Sequence, residues 1–294
     1  MTRQQFQQLT KNILIVDGAT GSNLMAMGMP RGVCTEQWVL EHKEVIQSLQ
    51  RAYVKAGSQV IYAPTFGANR CSLAKYGLEE TIREMNLSLV SYTKEVAQEG
   101  NGILVAGDIS PTGAMMAPMG DMTYEKAFDI YQEQVRYLVE AGVDLIAVET
   151  MYQIEETMAA IDAVHSICDL PVLCTVTVEA DGSIFTGGNA TEAAVAFEAS
   201  GADAVGINCS VGPDQLVSVI HDISEHVSVP VIAKPNAGMP LIDDAGKAHY
   251  SMGAEGFAHY MLKLVAAGAT IIGGCCGTTP EYIRELALVL GQPS

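Results

Sequence analysis

Eight short apolar, β-branched runs recur along the chain, each separated from the next by a segment with helical periodicity, and this alternation restricts the fold more than any other feature. The runs are ILIVD ending at Asp17, QVIYAPT ending at Thr65, ILVAGD ending at Asp108 and DLIAVET ending at Thr150. They continue with PVLCTVTV ending at Val178, AVGINCS ending at Ser210, PVIAKPN ending at Asn236 and TIIGGCC ending at Cys276. Alternating strand and helix signals mean a parallel sheet covered by helices, and eight such units predict an α/β fold, a single (β/α)8 TIM barrel. A doubly wound sheet is the alternative, but the first run leads into DGATGSNL, which lacks the glycine fingerprint of a dinucleotide site. Barrels of this kind commonly reach the 294 residues found here, so residues 1–294 are expected to form one domain.

The connecting segments carry helix stop signals. TEQWVLEHKEVIQSLQRAYVKAG reads as a helix with Thr35 as N-cap and Gly57 just past its end. In VEAGVD, EASGAD and VAAGAT a glycine follows a helix end and directly precedes the next strand, the short connection that stacked βα units need. Two loops are longer: EADGSIFTGG after the fifth run and IDDAGKAHYSM after the seventh, the latter containing Asp244-Ala245-Gly246. Both read as hairpin excursions from the C-terminal face.

Charge excludes several functions. The net charge of -18 repels phosphate backbones and anionic headgroups, which argues against nucleic acid and membrane partners. No apolar run approaches the roughly 20 residues that span a bilayer, and the N-terminus has no signal-like core, so a cytoplasmic protein is expected. Seven cysteines without a secretion signal argue against a disulfide framework. Cys34, Cys71, Cys168 and Cys174 are scattered singly and read as small packing residues or surface thiols.

In a barrel the C-terminal strand ends converge on one face, so Asp17, Thr65, Asp108, Glu149, Asn208 and Asn236 are expected around one pocket. Cys209 in GINCS and Cys275-Cys276 in GGCCGTTP would reach the same mouth. Three thiolates with one open position form the ligand set of a catalytic zinc site. Vicinal cysteines on a regular strand point to opposite faces, so both reach one metal only if the backbone turns, which Gly273, Gly274 and Gly277 permit. A vicinal disulfide and unconnected thiols are the competing readings.

The segments DGATGSNL, APTFGANR, AGDISPTG, VET, GINCSVGP, KPNAGMP and GGCCGTTPEYI span nearly the whole chain and resemble the homocysteine S-methyltransferase family. Within it the chain looks most like the homocysteine-binding barrels of cobalamin-dependent methionine synthases. The resemblance implies one Zn2+ held by Cys209, Cys275 and Cys276, with homocysteine joining through its sulfur. A metal-bound thiol is deprotonated outright, so the sulfur can attack an activated methyl group and give methionine. It also implies that Asp17 and Glu149 meet the substrate ammonium. The competing uses are a turn cap for Asp17 and a structural ion pair for Glu149. Backbone amides from Gly18 through Ala19 to Thr20 would meet the substrate carboxylate, with Thr65, Asn208 and Asn236 as supports.

The betaine-using branch of the family carries aromatic side chains near the positions of Cys34 and Gly67, which could hold a quaternary ammonium; they are missing here, and Trp38 reads as packing. The resemblance to the barrel of a cobalamin enzyme implies a methylated corrinoid as donor, expected on a partner protein in trans because the chain ends soon after the eighth run. S-methylmethionine or S-adenosylmethionine is the alternative donor. Two readings of another class are a non-catalytic zinc or thiol-binding barrel subunit and an aldolase-like barrel using Lys234 as a Schiff-base nucleophile.

Overall fold

The computed structural model describes residues 1–242 and 248–292. Its strands are β1 (Leu14–Ile15), β2 (Val60–Tyr62), β3 (Leu104–Ile109), β4 (Leu145–Met151), β5 (Val172–Val176), β6 (Ala204–Asn208), β7 (Val231–Lys234), β8 (Pro240–Ile242), β9 (Ala248–Tyr250) and β10 (Ala269–Ile272). Eight of them pair in the order β1-β10-β7-β6-β5-β4-β3-β2, every pair parallel. A parallel bridge between Val16 and Val60 joins the two ends, supported by Gln59 N donating to Ile15 O at 2.8 Å. The sheet thus closes on itself, and each of the eight apolar runs supplies one stave of a (β/α)8 barrel.

β8 and β9 form a separate antiparallel pair between β7 and β10, with Leu241 opposite His249. The tip of the expected excursion, Asp244-Ala245-Gly246, lies outside the described residues. The excursion after β5 folds back through an antiparallel bridge between Ser183 and Asn189.

The expected helix over 35–56 is two helices, Thr35–Glu41 and Lys43–Ala56. At the break the His42 ring takes the place of its own amide: Nδ1 lies 2.8 Å from Trp38 O while the amide N–H turns to Val39 O at 3.1 Å. The imidazole also stacks on Trp38 with centroids 4.0 Å apart, which confirms packing as the use of that indole. Cys34, not Thr35, occupies the N-cap position, with no side-chain capping bond. Gly57 ends the second helix in the left-handed region at φ 113, as its place in the sequence predicts.

The pleat of the strands decides what the barrel holds. Side chains alternate between the helical layer and the barrel interior. Leu14, Val60, Leu145, Leu173, Ile232 and Ile271 form the interior cluster, and Phe6 of the helix Arg3–Leu9 packs into it where the strands begin. The same parity, carried on toward the C-terminal ends, turns Asp108 inward after Ala106, Glu149 after Ala147, and Lys234 after Ile232. Asn208 follows Ala204 and Gly206 on the same face. The upper interior is therefore polar because the strands are regular.

Gly206 marks how tightly the staves approach. A Cβ added there would lie 2.0 Å from Ile232 O and 2.7 Å from Ile232 N, backbone atoms that cannot yield. Gly206→Ala is expected to destabilise the barrel by about 2–3 kcal/mol, read as a lower urea midpoint. An unchanged midpoint would contradict the close approach.

Candidate metal and substrate site

The thiol cluster is assembled from β6 and β10 on either side of β7. Cys209 follows β6 in the left-handed region at φ 48, an uncommon conformation for a residue with a Cβ. Its amide donates to Lys234 O at 3.3 Å and its carbonyl accepts from Thr177 Oγ1 at 2.8 Å. After β10 the chain stays bound to its neighbours: Gly273 N donates to Ala233 O at 3.1 Å, Gly274 N to Asp17 O at 3.1 Å and Cys275 N to Pro235 O at 2.8 Å. It then turns at Gly277, where φ is 83 and a Cβ would fall 2.3 Å from the Tyr250 ring.

The turn brings both vicinal sulfurs to one side. The Sγ atoms of Cys209, Cys275 and Cys276 all lie within 4.8 Å of one another, and Cys209 and Cys276 are 3.5 Å apart. Tetrahedral zinc with Zn–S bonds of about 2.3 Å places its sulfurs about 3.8 Å apart, so the cluster fits such an ion closely. All seven cysteines are free, which rules out the vicinal disulfide in this structure. Hydrogen bonds from Cys209 and Cys275 pull the Cys276 thiol well below the usual thiol range. Hydrogen bonding to Cys275 and Cys276, with burial, pushes Cys209 up. The three thiols share protons through these hydrogen bonds, and a divalent ion would hold all three as thiolates.

Asp17, Gly18, Ala19, Asp108, Glu149 and Lys234 line the same cavity as the three thiols. Asp17 Oδ2 accepts from Tyr62 N at 2.8 Å. Burial lifts its carboxyl to about 7 against the pull of the Lys234 ammonium. Gly18 leaves no room for a side chain, since a Cβ would lie 2.7 Å from Tyr53 Oη and 2.8 Å from Thr278 Oγ1. The Ala19 amide is already spent on Thr278 Oγ1 at 3.1 Å.

Glu149 Oε2 accepts from Lys234 Nζ at 2.7 Å, and the ammonium stands 3.6 Å from the centroid of the Tyr62 ring. Burial alone would lower the lysine, but Glu149, Tyr62 and Asp17 outweigh it and hold Lys234 above the ordinary lysine range. An amine held as the ammonium partner of Glu149 is a poor nucleophile, which argues against the Schiff-base reading. The ion pair is the competing use expected of Glu149; strand-end reasoning placed Lys234 near the mouth without naming it as the partner.

The expected supports lie behind the cavity wall. Thr65 is fully buried, its Oγ1 donating to Asp108 O at 2.9 Å and accepting from Asp108 N at 3.0 Å. Asn236 Nδ2 donates to Ser210 O at 2.5 Å. Asn208 ties its own strand β6 to two others, β4 and β5: its Oδ1 accepts from Thr150 N at 2.7 Å and Thr175 Oγ1 at 2.8 Å, and its Nδ2 donates to Thr150 Oγ1 at 2.8 Å. Nδ2 also lies 3.9 Å from Cys275 Sγ.

On the opposite wall Glu36 faces the cavity although nothing in its amphipathic helix marked it. It accepts from Gly67 N at 2.7 Å and from the Cys34 thiol at 3.4 Å, so Cys34 and Gly67 meet at a buried carboxylate. Cys174 is buried among outward-facing core residues, and Cys71 and Cys168 pack at the edge of that core, away from the cluster.

A closed parallel barrel with a three-thiol metal cluster and buried carboxylates at its C-terminal mouth has the makings of a metal-binding thiol enzyme. The sequence model of the homocysteine S-methyltransferase family matches residues 14–290, and the chain belongs to that family. It is similar to the methionine synthase of Mycobacterium tuberculosis, 30% identical over 300 residues, which cover 97% of this chain and 25% of that protein. The methionine synthase of Mycobacterium leprae is 29% identical over 302 residues with the same coverage. The chain thus spans about a quarter of the length of these relatives.

Among solved structures it is similar to the metallated form of the homocysteine methyltransferase MmuM from Escherichia coli, with a TM-score of 0.78 and 22% identity over 95% of this chain and 96% of that one. The carboxyl transferase domain of Rhizobium etli pyruvate carboxylase, at a TM-score of 0.53 and 15% identity over 98% of this chain and 49% of that one, shares the barrel alone. No described helix is long and apolar enough to cross a membrane.

Asn208→Ala removes the brace shared by β4, β5 and β6. It is expected to cost about 2–3 kcal/mol of stability by leaving Thr150 N and Thr175 Oγ1 without partners. It should also weaken metal affinity about 10-fold to 100-fold in a competitive chelator titration. Parental affinity in the variant would show that the brace does not position Cys275.

Proposed function

We propose that residues 1–294 form one homocysteine-binding barrel domain that transfers a methyl group to the thiol of homocysteine, giving methionine. The observation that carries this reading is the convergence of Cys209, Cys275 and Cys276 within 4.8 Å beside buried carboxylates, in a chain of the homocysteine S-methyltransferase family. One zinc ion on these thiolates would supply a fourth position that holds the substrate sulfur deprotonated.

The chain's own residues do the remaining work. Asp17 and Glu149 give the cavity the negative charge that suits an amino-acid ammonium, and Lys234 keeps that charge from accumulating unopposed. With Ala19 N spent on Thr278, the amides of Gly18 and Thr20 are the better candidates for the substrate carboxylate. Thr65 and Asn236 hold the walls. In the transfer a sulfur–carbon bond forms as the donor–methyl bond breaks, and the electron pair of the broken bond leaves with the donor.

The donor we favour is a methylated corrinoid carried by a partner protein in trans. Two features support it: the two mycobacterial relatives above are methionine synthases about four times its length, and Met25 of the helix Gly21–Ala26 is exposed together with Phe66, Met119, Phe185 and Met239 of the loops. Such a rim suits a protein-borne donor. A small sulfonium, S-methylmethionine or S-adenosylmethionine, is the alternative donor. Betaine is disfavoured, because Cys34 and Gly67 offer no aromatic cage. The free thiols and acidic surface fit a cytoplasmic enzyme without nucleic acid or membrane partners.

Zinc-loaded protein incubated with homocysteine and methylcobalamin is expected to yield methionine, and betaine in its place to yield none. Methionine from S-methylmethionine or S-adenosylmethionine but not from methylcobalamin would overturn the corrinoid donor. Cys209→Ala, Cys275→Ala and Cys276→Ala should each lose zinc and turnover together while the far-ultraviolet circular dichroism stays unchanged. Full zinc content and turnover in any of the three would remove that thiol from the ligand set.

A further inference from the structure

Four carboxylates line the cavity, and three of them are already engaged. Asp17 Oδ2 accepts from Tyr62 N, Glu149 Oε2 accepts from Lys234 Nζ, and Glu36 is held by Gly67 N and the Cys34 thiol. Asp108 is different. It is only 6% exposed, and its Oδ1 is sealed from solvent without any hydrogen-bond partner. The Thr65 hydroxyl beside it bonds the Asp108 backbone, not its carboxylate.

A buried carboxylate oxygen without a partner is destabilising, and folds keep such groups where something else satisfies them. The side the carboxylate faces is the cavity it shares with Asp17, Glu149 and the thiols. The pleat of β3 fixes that direction, so the group cannot turn to the helical layer for relief. Burial, reinforced by Glu149, pushes the Asp108 carboxyl well above the usual range, and a cation arriving in the cavity would reverse that push.

We propose that Asp108 is the specificity-determining acceptor for the substrate ammonium, selecting thiols that carry a free amino group, while Lys234 holds Glu149 in a secondary role. The assignment rests on the homocysteine reading above and sharpens it. Glu149 has one oxygen committed to Lys234 at 2.7 Å, and its charge is largely cancelled there. Asp108 has no such commitment at Oδ1. The cavity then reads the two ends of its substrate separately, the sulfur at the thiol cluster and the ammonium at the end of β3.

The test is calorimetric titration of the zinc-loaded chain with homocysteine and with 4-mercaptobutanoate, the same thiol acid without its amino group. The parent is expected to bind homocysteine more tightly. Asp108→Asn should shrink that preference about 10-fold or more, as the loss of one charge-assisted bond requires, and leave 4-mercaptobutanoate binding unchanged. Glu149→Gln should shrink it less. An unchanged preference in Asp108→Asn, or equal loss of both thiols, overturns the assignment alone. A parent that binds neither thiol overturns the homocysteine reading together with it. A crystal structure of the parent with homocysteine is independent of how the variants fold: it should place the ammonium nitrogen within about 3.2 Å of Asp108, and a nitrogen bound by Glu149 alone contradicts the proposal.

Discussion

The mouth of this barrel depends on the backbone of one strand end. Ala233, Lys234 and Pro235 present successive carbonyls to opposite neighbours, taking Gly273 N and Cys275 N from one side and Cys209 N from the other. These bonds set the two sources of sulfur one stave apart. They also explain why Cys209 tolerates φ 48: its amide and carbonyl are both tied, so the strain is fixed by the surrounding sheet. The Lys234 side chain meanwhile enters the interior from the same strand end. A shift of β7 would disturb thiols and carboxylates together.

The polar layer above the apolar interior is a second consequence of regular strands. Asp108, Glu149, Asn208 and Lys234 all follow apolar interior residues at the two-residue period, so charge is buried at the depth where the strands end. Such burial is costly unless groups pair. Lys234 pairs with Glu149 and leans on the Tyr62 ring, Asp17 takes a backbone amide, and Asn208 satisfies three partners. Of the charged groups in this layer, Asp108 is the one with a buried oxygen left unpaired. A buried carboxylate oxygen left unpaired beside the cavity is what the proposed ammonium contact would satisfy.

Much of this was legible in the chain before any coordinates. The eight runs are the eight staves because a period of two against a period near 3.6 is a direct record of burial, and GINCS with GGCCGTTP placed three thiols at one mouth. What escaped was set by contacts distant in sequence. The helix break at His42 depends on an imidazole competing for Trp38 O, which a helical pattern does not reveal. Glu36 looked like any acidic residue in a first turn, and only the approach of Gly67 from the next unit makes it part of a wall. The Ala19 amide looked available until Thr278, 259 residues away, proved to hold it. Lys234 was visible as a residue but not as the counter-ion of Glu149.

In the proposed site three thiolates hold one metal with a fourth position for the substrate sulfur. X-ray absorption at the zinc edge, recorded on the loaded protein before and after homocysteine, tests this most directly. Three sulfurs at about 2.3 Å are expected in the first spectrum and four in the second. A sulfur count that stays the same on adding homocysteine would contradict it and leave a barrel that binds metal without presenting it to a thiol.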